Sequence, residues 1–258
     1  MFNSFNPEKT SEKISDFLKK ETRERGFTKV INALSGGIDS TVVTYLAAKA
    51  LQPTNVLITT LPYKNLNDQG LQDAQEVITT LNIPKTNVFH INIGSICDRF
   101  FANDPKIDDL RKGNIMARVR MTILYDLAKK ERALVLGAEN KSEYLLGYFT
   151  RYGDEAADLD PIRDLYKTEV RILAKYLGVP DRIVSKAPAA GLWEGQTDEG
   201  QFGFTYEDAD KILYLLFDRK LTPSEMVKKG FKKEVVEKVY SWVKTNDFKH
   251  HLPKVANE

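Results

Sequence analysis

Short runs of apolar, β-branched residues alternate along the first half of the chain with longer segments in which apolar residues recur every three or four positions. The short runs predict four strands buried on both faces, at residues 29–34, 55–61, 87–93 and 133–138. The longer segments predict amphipathic helices at residues 7–26, 39–51, 67–81 and 113–131. Because strands and helices alternate, we expect an open α/β fold whose parallel sheet carries helices on both faces.

The pattern changes after Gly147. A polar loop leads to a predicted helix at 167–177, which Gly178 and Pro180 end. Residues 183–205 are rich in small residues and glycine and have no periodicity, so we expect a mobile lid over a site. Residues 206–246 predict three short helices, and 206–258 form a C-terminal region with a tail. No repeat or long linker divides the chain, so we expect one domain over residues 1–258.

Composition favours a small-molecule partner. Hydrophobic residues make up 42% of the 258 positions and charged residues 29%, which is enough apolar sequence for one substantial core. The 38 Lys and Arg residues nearly balance the 36 Asp and Glu residues, so the net charge does not indicate nucleic-acid or membrane binding. We expect no membrane span. The single cysteine, Cys97, excludes an internal disulfide and is typical of a reducing, cytoplasmic location.

The first predicted strand runs into a polar, glycine-containing loop, "ALSGGIDS" at residues 33–40, which we call the phosphate loop. Its backbone N–H groups and the start of the following helix would point at one place, which favours a phosphate. Ser35 and Ser40 could add hydroxyl donors. Asp39 would repel a phosphate unless a divalent cation lay between them, so the loop predicts Mg²⁺. The alternative is a simple Gly-Gly turn with Asp39 capping the helix, and the other common phosphate-binding motifs are absent from the sequence.

"SGGIDS" resembles the pyrophosphate loop of the N-type ATP pyrophosphatases, which split ATP between its α and β phosphates. Three further stretches, at residues 112–121, 137–174 and 186–199, are similar in order and spacing to the ammonia-dependent NAD synthetases. The resemblance extends from about residue 35 to residue 249. It implies a Rossmann-like sheet of the adenine nucleotide alpha-hydrolase-like type.

The resemblance also implies a reaction: ATP-dependent amidation of deamido-NAD with ammonia, giving NAD, AMP and pyrophosphate through an adenylated intermediate. It implies a homodimer. A glutamine-dependent relative would need an additional amidotransferase domain, and the first strand already begins at Lys29, so we expect no glutaminase domain and free ammonia as the donor.

Site residues follow from the resemblance, position by position. Mg²⁺ would be held by Asp39 and Glu143, and the catalytic residues would be Asp39 and Lys167, with Lys167 reaching the ATP phosphates. The implied ATP-binding residues are Ala33, Leu34, Ser35, Gly36, Gly37, Ile38, Asp39, Ser40, Ala138, Lys167 and Ala189. The implied deamido-NAD-binding residues are Arg118, Arg151, Asp158, Phe248 and Lys249.

Taken alone, several of these residues have ordinary interpretations. Glu143 and Lys167 also fit exposed positions on helices, and Arg118 fits the polar face of an amphipathic helix. The chain further departs from the family pattern, which commonly has a threonine at the position of Ala138 and a serine or threonine at that of Ala189. Each lost hydroxyl contact would weaken ATP binding by up to about tenfold. Arg151 replaces a lysine of some members, and Phe248-Lys249 stands where others have His-Lys.

Two other functions fit the phosphate loop. A tRNA-modifying ATP pyrophosphatase would need a basic accessory domain or a catalytic cysteine pair, and the sequence has neither. A non-catalytic nucleotide-binding sensor would bind ATP without releasing pyrophosphate. Release of pyrophosphate with deamido-NAD and ammonium therefore separates the three hypotheses.

Overall fold

Four parallel strands form one sheet in the computed structural model, which describes residues 5–193 and 195–256. The strands are β1 (Lys29–Ala33), β2 (Val56–Thr60), β3 (Val88–His90) and β4 (Ala133–Leu136), in the order β3-β2-β1-β4. All three pairings are parallel, with Val30 opposite Val56 on one side and Leu134 on the other. The parallel α/β sheet predicted from the sequence is confirmed.

Helices connect and cover the strands. They are α1 (Pro7–Glu24), α2 (Ile38–Leu51), α3 (Asp68–Thr80), α4 (Gly94–Phe101), α5 (Asp109–Glu131), α6 (Lys141–Leu146), α7 (Lys167–Tyr176), α8 (Asp181–Val184), α9 (Asp198–Phe202), α10 (Tyr206–Leu213), α11 (Pro223–Lys228) and α12 (Lys233–Asn246). A π-helical turn, Tyr214–Asp218, follows α10. In the described part of the chain, no helix is long and apolar enough to cross a membrane.

Alternate residues of the strands pack into two different hydrophobic clusters. Val30 and Val56 face a cluster that includes residues of α1, α2, α3 and α7. Ile31 and Leu57 face a second cluster, to which α5 contributes Leu124. The alternation places helices on both faces of the sheet, as the sequence predicts.

A separate core forms where the C-terminal helices pack together and against α6. Tyr206 is fully buried there, among apolar residues of α6, α10, α11 and α12. Phe202 and Phe204 come from the segment 183–205 and are buried in the same core. The prediction of a segment without regular structure is therefore wrong at α9, because these two phenylalanines anchor it. Residue 194 of this segment, and residues 1–4 and 257–258 of the single predicted domain, lie outside the described residues.

The predicted strands and helices differ from the observed ones mainly at their ends. β3 has only three residues, although Ile91 N and Ile93 N still donate to Thr60 O and Pro62 O at 3.0 and 2.9 Å. Helix α5 begins four residues earlier than predicted, because the Asp108 side chain accepts a hydrogen bond from Arg111 N and caps it. The hydrophobic pattern did not predict α4, α6, α8 and α9, all of which have eight residues or fewer. Three helices are present in residues 206–246, as predicted, but only α10 and α11 are short, since α12 has 14 residues.

Candidate active site

One cleft of about 440 Å³ opens beside the carboxyl ends of β1, β2 and β4. The phosphate loop lines it from Ala33 to Ser40, except at Gly36. Residues 186–193, from the predicted lid, line it together with Ala138 and Lys167. Open α/β sheets bind ligands at this edge, because the loops after neighbouring strands converge there.

The conformation of the phosphate loop depends on Gly36. Its φ of +77° lies in the left-handed region, and a Cβ atom at this position would be 2.1 Å from the carbonyl oxygen of Gly70 in α3. A larger residue therefore could not keep both the backbone conformation and the contact with α3. Gly36 shapes the loop from behind, since it is buried and does not line the cleft.

The two serines of the phosphate loop bond to the loop itself. Ser40 Oγ lies 3.2 Å from Ser35 N, 3.1 Å from Ser35 Oγ and 3.2 Å from Gly37 O. Ser35 Oγ in turn accepts a hydrogen bond from Gly37 N at 3.2 Å. Below them, the buried Asn32 side chain donates to Ser40 O and Thr44 Oγ1, both at 2.9 Å. These hydrogen bonds hold the loop in place before any ligand arrives.

A buried lysine joins two acidic residues at the edge of this loop. Lys167 Nζ lies 2.5 Å from Asp39 Oδ2 and 3.0 Å from Glu143 Oε1, and only 2% of the Lys167 side chain is exposed. Asp39 is in the first turn of α2, Glu143 is in α6 and Lys167 begins α7. The fold therefore brings together the three residues that the resemblance assigned to the metal and the phosphates.

Lys167, Asp39 and Glu143, which we call the triad, attract one another through their opposite charges. Burial would lower the pKa of the Lys167 ammonium, but Asp39 and Glu143 outweigh it and hold that pKa above its usual range. Burial raises the pKa of the Glu143 carboxyl, against the opposing effect of Lys167. Lys167 therefore stays protonated between the two acidic side chains.

Asn140 fixes the two acidic residues in place. Its side-chain Nδ2 donates to Asp39 Oδ1 at 3.0 Å, and its Oδ1 accepts from Glu143 N at 3.0 Å. Glu143 Oε2 accepts from Asn140 N at 3.4 Å, which completes a capping box at the start of α6. The sequence "NKSE" carries the signature of this cap, so Asn140 could have been found from the sequence.

The segment 183–205 reaches this triad through a buried tyrosine. Tyr206 OH lies 3.3 Å from Glu143 Oε1 and 3.1 Å from Asp198 Oδ2, the first residue of α9. Asp198 Oδ1 also accepts from Tyr148 OH at 3.1 Å. A single hydroxyl proton of Tyr206 serves one carboxylate at a time. No local sequence pattern pointed to Tyr206 or Asp198, because their partners are far away in the chain.

The carboxylate oxygens of Asp39 and Glu143 suit a hard cation that takes its remaining ligands from water and substrate. In residues 5–193 and 195–256, no group of three or more His, Cys, Asp or Glu residues could hold a metal ion. Two carboxylates suit Mg²⁺, which is usually bound by one or two protein carboxylates together with substrate phosphates and water. The ammonium of Lys167 already lies between these carboxylates, so the position accepts positive charge.

The five residues implied for deamido-NAD lie outside the cleft. Arg151 and Phe248 line a separate depression beside the C-terminal tail. Arg118 is exposed on α5 and its Nε donates to Arg151 O at 3.3 Å. Lys249 Nζ donates to Gly147 O and Phe149 O at 2.7 and 2.9 Å.

Asp158 is tied to the sheet instead of facing the cleft. Its Oδ2 accepts a hydrogen bond from Val135 N of β4 at 2.8 Å, and its own N donates to Val135 O. The structure therefore does not bring Asp158 to the cleft, because this carboxylate satisfies a backbone donor at the open edge of β4. Asp154, four residues earlier, lines the cleft instead, as do Asn114 and Arg120 of α5. No motif in the sequence pointed to a function for these three residues.

The fold and the site define an α/β protein built to bind nucleotide phosphates, with a preformed loop and an acidic pair in one cleft. Comparison with known families extends this conclusion. Residues 10–253 match the NAD synthase family model, and the chain belongs to that family.

Individual relatives agree with this assignment. The chain is 42% identical over 243 residues to an NH₃-dependent NAD⁺ synthetase of Fusobacterium nucleatum, covering 94% of this chain and 93% of the relative. The solved structure of an NMN synthetase from Francisella tularensis matches with a TM-score of 0.87 and 36% identity, over 99% of this chain and 100% of that one. An NH₃-dependent NAD synthetase from Campylobacter jejuni matches with a TM-score of 0.83 and 31% identity, over 98% and 100%.

Proposed function

We propose that the protein amidates deamido-NAD with ammonia at the expense of ATP, releasing NAD, AMP and pyrophosphate. The observation that carries this proposal is the contact of Lys167 with Asp39 and Glu143 beside the phosphate loop. Membership of the NAD synthase family supplies the substrate class. The curated relatives named as NH₃-dependent support ammonia as the nitrogen donor.

The first step joins the two substrates. A carboxylate oxygen of the nicotinate ring forms a bond to the α phosphorus of ATP, and the bond from that phosphorus to the bridging oxygen of the β phosphate breaks. Pyrophosphate leaves with the electron pair of that bond. Negative charge builds up on the departing group, and a buried ammonium such as that of Lys167 stabilises it most effectively because little water screens the interaction.

The chain's own residues bind and position the triphosphate. We propose that the phosphate loop, residues 33–40, holds the β and γ phosphates, and that Asp39 and Glu143 hold Mg²⁺ beside them. When bound, Mg²⁺ neutralises phosphate charge. Lys167 would then turn its charge from the two carboxylates toward the phosphates. Ala138 and Ala189, which line the cleft, contribute no hydroxyl to this binding.

The second step forms the amide. Ammonia attacks the carbonyl carbon of the acyl adenylate, the bond from that carbon to the phosphate oxygen breaks, and AMP leaves while one proton is released. This route needs no protein nucleophile, in keeping with the buried position of Cys97. Because the acyl adenylate also reacts with water, residues 186–193 would protect it by covering the cleft, and the mobility that this requires is part of the proposal.

We propose a homodimer in which a second copy helps to bind deamido-NAD. Arg118 and Arg151 lie outside the cleft, on the side where Phe248 is 60% exposed. A long dinucleotide that starts in the cleft could reach this surface, or the equivalent surface of a second copy. For Asp158 the proposal is limited to Oδ1, because Oδ2 accepts a hydrogen bond from Val135 N. The cytoplasmic location remains a prediction.

A second substrate deserves a direct comparison, namely the mononucleotide form of the acid. The solved protein named an NMN synthetase matches this chain over nearly its full length, with a higher TM-score than the Campylobacter jejuni NAD synthetase. The deamido-NAD residues implied by the resemblance also lie outside the cleft, where a mononucleotide would not need them. Amidation of nicotinate mononucleotide is therefore the second candidate.

One assay tests both candidates. Purified protein is incubated with Mg-ATP and ammonium or glutamine, and with deamido-NAD, nicotinate mononucleotide or neither acid. Formation of the amide with equal amounts of AMP and pyrophosphate supports the synthetase, and the ratio of kcat/KM values identifies the preferred acid. Binding of ATP without AMP formation with either acid would favour a nucleotide-binding sensor.

A further inference from the structure

Arg120 of α5 is a charged residue of the cleft that neither the resemblance nor the triad explains. Its side chain is half-buried, and its Nε donates a hydrogen bond to Leu61 O, just beyond β2, at 3.0 Å. This bond fixes the plane of the guanidinium group and leaves its two terminal nitrogens for other partners.

This guanidinium has no ion-pair partner in the part of the chain that the structure describes. Within residues 5–193 and 195–256, no carboxylate oxygen lies within 4.0 Å of an Arg120 nitrogen, and the bond to Leu61 O is its one protein hydrogen bond. Burial lowers the pKa of Arg120, and the more distant Cys97 and Asp154 act in the opposite direction. A guanidinium removed from water without a counter-ion destabilises the fold.

Some other partly buried cations of the chain have acidic partners, whereas Lys249 donates to Gly147 O and Phe149 O instead. Arg163 pairs with Asp160 at 2.7 Å, and Lys186, which also lines the cleft, pairs with Asp73 at 2.9 Å. Lys167, a further cation of the cleft, pairs with two carboxylates. Among the described residues that line the cleft, Arg120 is thus the cation without an ion pair, at the sheet edge where ligands bind.

We propose that Arg120 is a substrate-binding residue that meets an oxyanion of one of the two nucleotide substrates. A planar guanidinium with two free terminal nitrogens matches the geometry of a carboxylate or phosphate, each of which it can bind through two hydrogen bonds. The oxyanion comes either from a phosphate of ATP or from the acid substrate. This inference rests on the proposed function for the identity of the two nucleotides, but the binding of each can be measured without turnover.

Isothermal titration of the full chain distinguishes the two sources. Mg-ATP and deamido-NAD are titrated separately into the wild type, Arg120→Met and Arg120→Lys, at a temperature at which circular dichroism shows all of them folded. Lys129→Met is the control, since Lys129 is an exposed cation on the same helix. We expect Arg120→Met to weaken binding of one nucleotide about tenfold to hundredfold, the size of a lost charge-assisted pair. The affinity of Arg120→Lys should lie between those of Arg120→Met and the wild type. The affinity of Lys129→Met should equal that of the wild type.

Thermal stability of the ligand-free protein provides a second readout. Removal of an unpaired buried charge should leave Tm unchanged or raise it, whereas removal of a structural residue lowers it. If Arg120→Met loses affinity for Mg-ATP alone, the partner of Arg120 is a phosphate of ATP. If it loses affinity for deamido-NAD alone, the partner belongs to the acid substrate. Unchanged affinity for both would overturn the proposal, as would an equal loss for both with a lower Tm. Failure to form NAD would count against the proposed function and leave both binding measurements valid.

Discussion

Lys167 Nζ lies 2.5 Å from Asp39 Oδ2, although 128 positions separate the two residues in the chain. The pair links the start of α7 to the start of α2, which follows the phosphate loop. Glu143 shares the same ammonium at 3.0 Å. The residues proposed for phosphate binding and for metal binding thus form one electrostatic unit.

Lys167→Met should destabilise the protein and make its stability dependent on Mg²⁺. Without the ammonium, Asp39 and Glu143 lie close together with no positive charge between them, and breaking a buried pair in this way costs about 3–5 kcal/mol. Mg²⁺ should restore part of this loss. Chemical denaturation with and without Mg²⁺ measures the effect, and Lys175→Met is the control because Lys175 is exposed on the same helix. Equal stability of the variant and the wild type without Mg²⁺ would contradict the account.

Gly36→Ala should lower the free energy of unfolding more than an alanine at another glycine with positive φ does. Gly26 has nearly the same φ, +76° against +77°, but nothing lies within 4 Å of an added Cβ at Gly26. Gly26→Ala should therefore cost only the backbone strain, about 1 kcal/mol. Gly36→Ala adds the clash with Gly70 O and should cost about 3 kcal/mol or more. Urea denaturation of both variants gives the difference, and ATP affinity should fall only for Gly36→Ala; equal costs would show that α3 moves aside easily.

The strands and longer helices could be predicted because their patterns are local. The buried runs of β1 and β4 and the 3.6-residue period of α2 and α5 are visible in any single sequence. The phosphate loop was predicted for the same reason, since its glycines, serines and Asp39 follow one another directly after one strand. The roles of Glu143 and Lys167 came from the family resemblance alone, because each also fits an exposed position on a helix.

The rest of the site depends on contacts between distant parts of the chain. Tyr206 meets Glu143 across 63 positions, and Arg120 meets Leu61 O across 59. Neither contact leaves a periodic signal in the sequence. α9 was missed for a related reason: only the C-terminal core shows that Phe202 and Phe204 are buried.

Glu139→Gln should be more stable relative to the wild type at high pH than at low pH. Burial raises the pKa of Glu139 to about 9 from the ordinary 4.5, although Arg163 opposes it, with Glu143, Asp160 and Asp154 adding to the rise. Between these two values the folded state holds the proton and the unfolded state has lost it, so stability falls as pH rises. Glutamine cannot lose a proton. The variant should therefore gain on the wild type as pH goes from about 5 to 9.

Unfolding free energies at several pH values across this range measure the effect of Glu139→Gln. Asp160→Asn is a useful comparison, because burial raises the pKa of Asp160 only to about 6. The gain in stability of Asp160→Asn over the wild type should therefore be complete at a lower pH than that of Glu139→Gln. A difference between Glu139→Gln and the wild type that does not change with pH would show that Arg163 keeps Glu139 ionised.

Asp210→Asn should lower kcat more than it raises KM for ATP. Asp210 is fully buried, accepts hydrogen bonds from Thr168 N and Thr168 Oγ1 at 2.9 and 2.8 Å, and bonds to Ser142 Oγ. Ser142 Oγ accepts from Lys167 N at 2.9 Å, so Asp210 acts as a positioning residue for the start of α7. An asparagine cannot accept all of these bonds, and the loss should cost about 1–3 kcal/mol.

Steady-state kinetics on Asp210→Asn provide the test, with Asp208→Asn as the control because Asp208 is exposed on the same helix. A loss of stability with unchanged kcat in the folded fraction would mean that Asp210 supports the fold without positioning Lys167.

The most direct test of the account is the yield of AMP and pyrophosphate from Mg-ATP, deamido-NAD and ammonium, measured for the wild type and Asp39→Asn. We expect AMP, pyrophosphate and NAD in equal amounts from the wild type. Asp39→Asn should remain folded and lose about 10²-fold or more of the rate, the size of other lost electrostatic contacts to a transition state. A wild type that binds ATP yet releases no pyrophosphate, or an Asp39→Asn variant with near-normal turnover, would contradict the account.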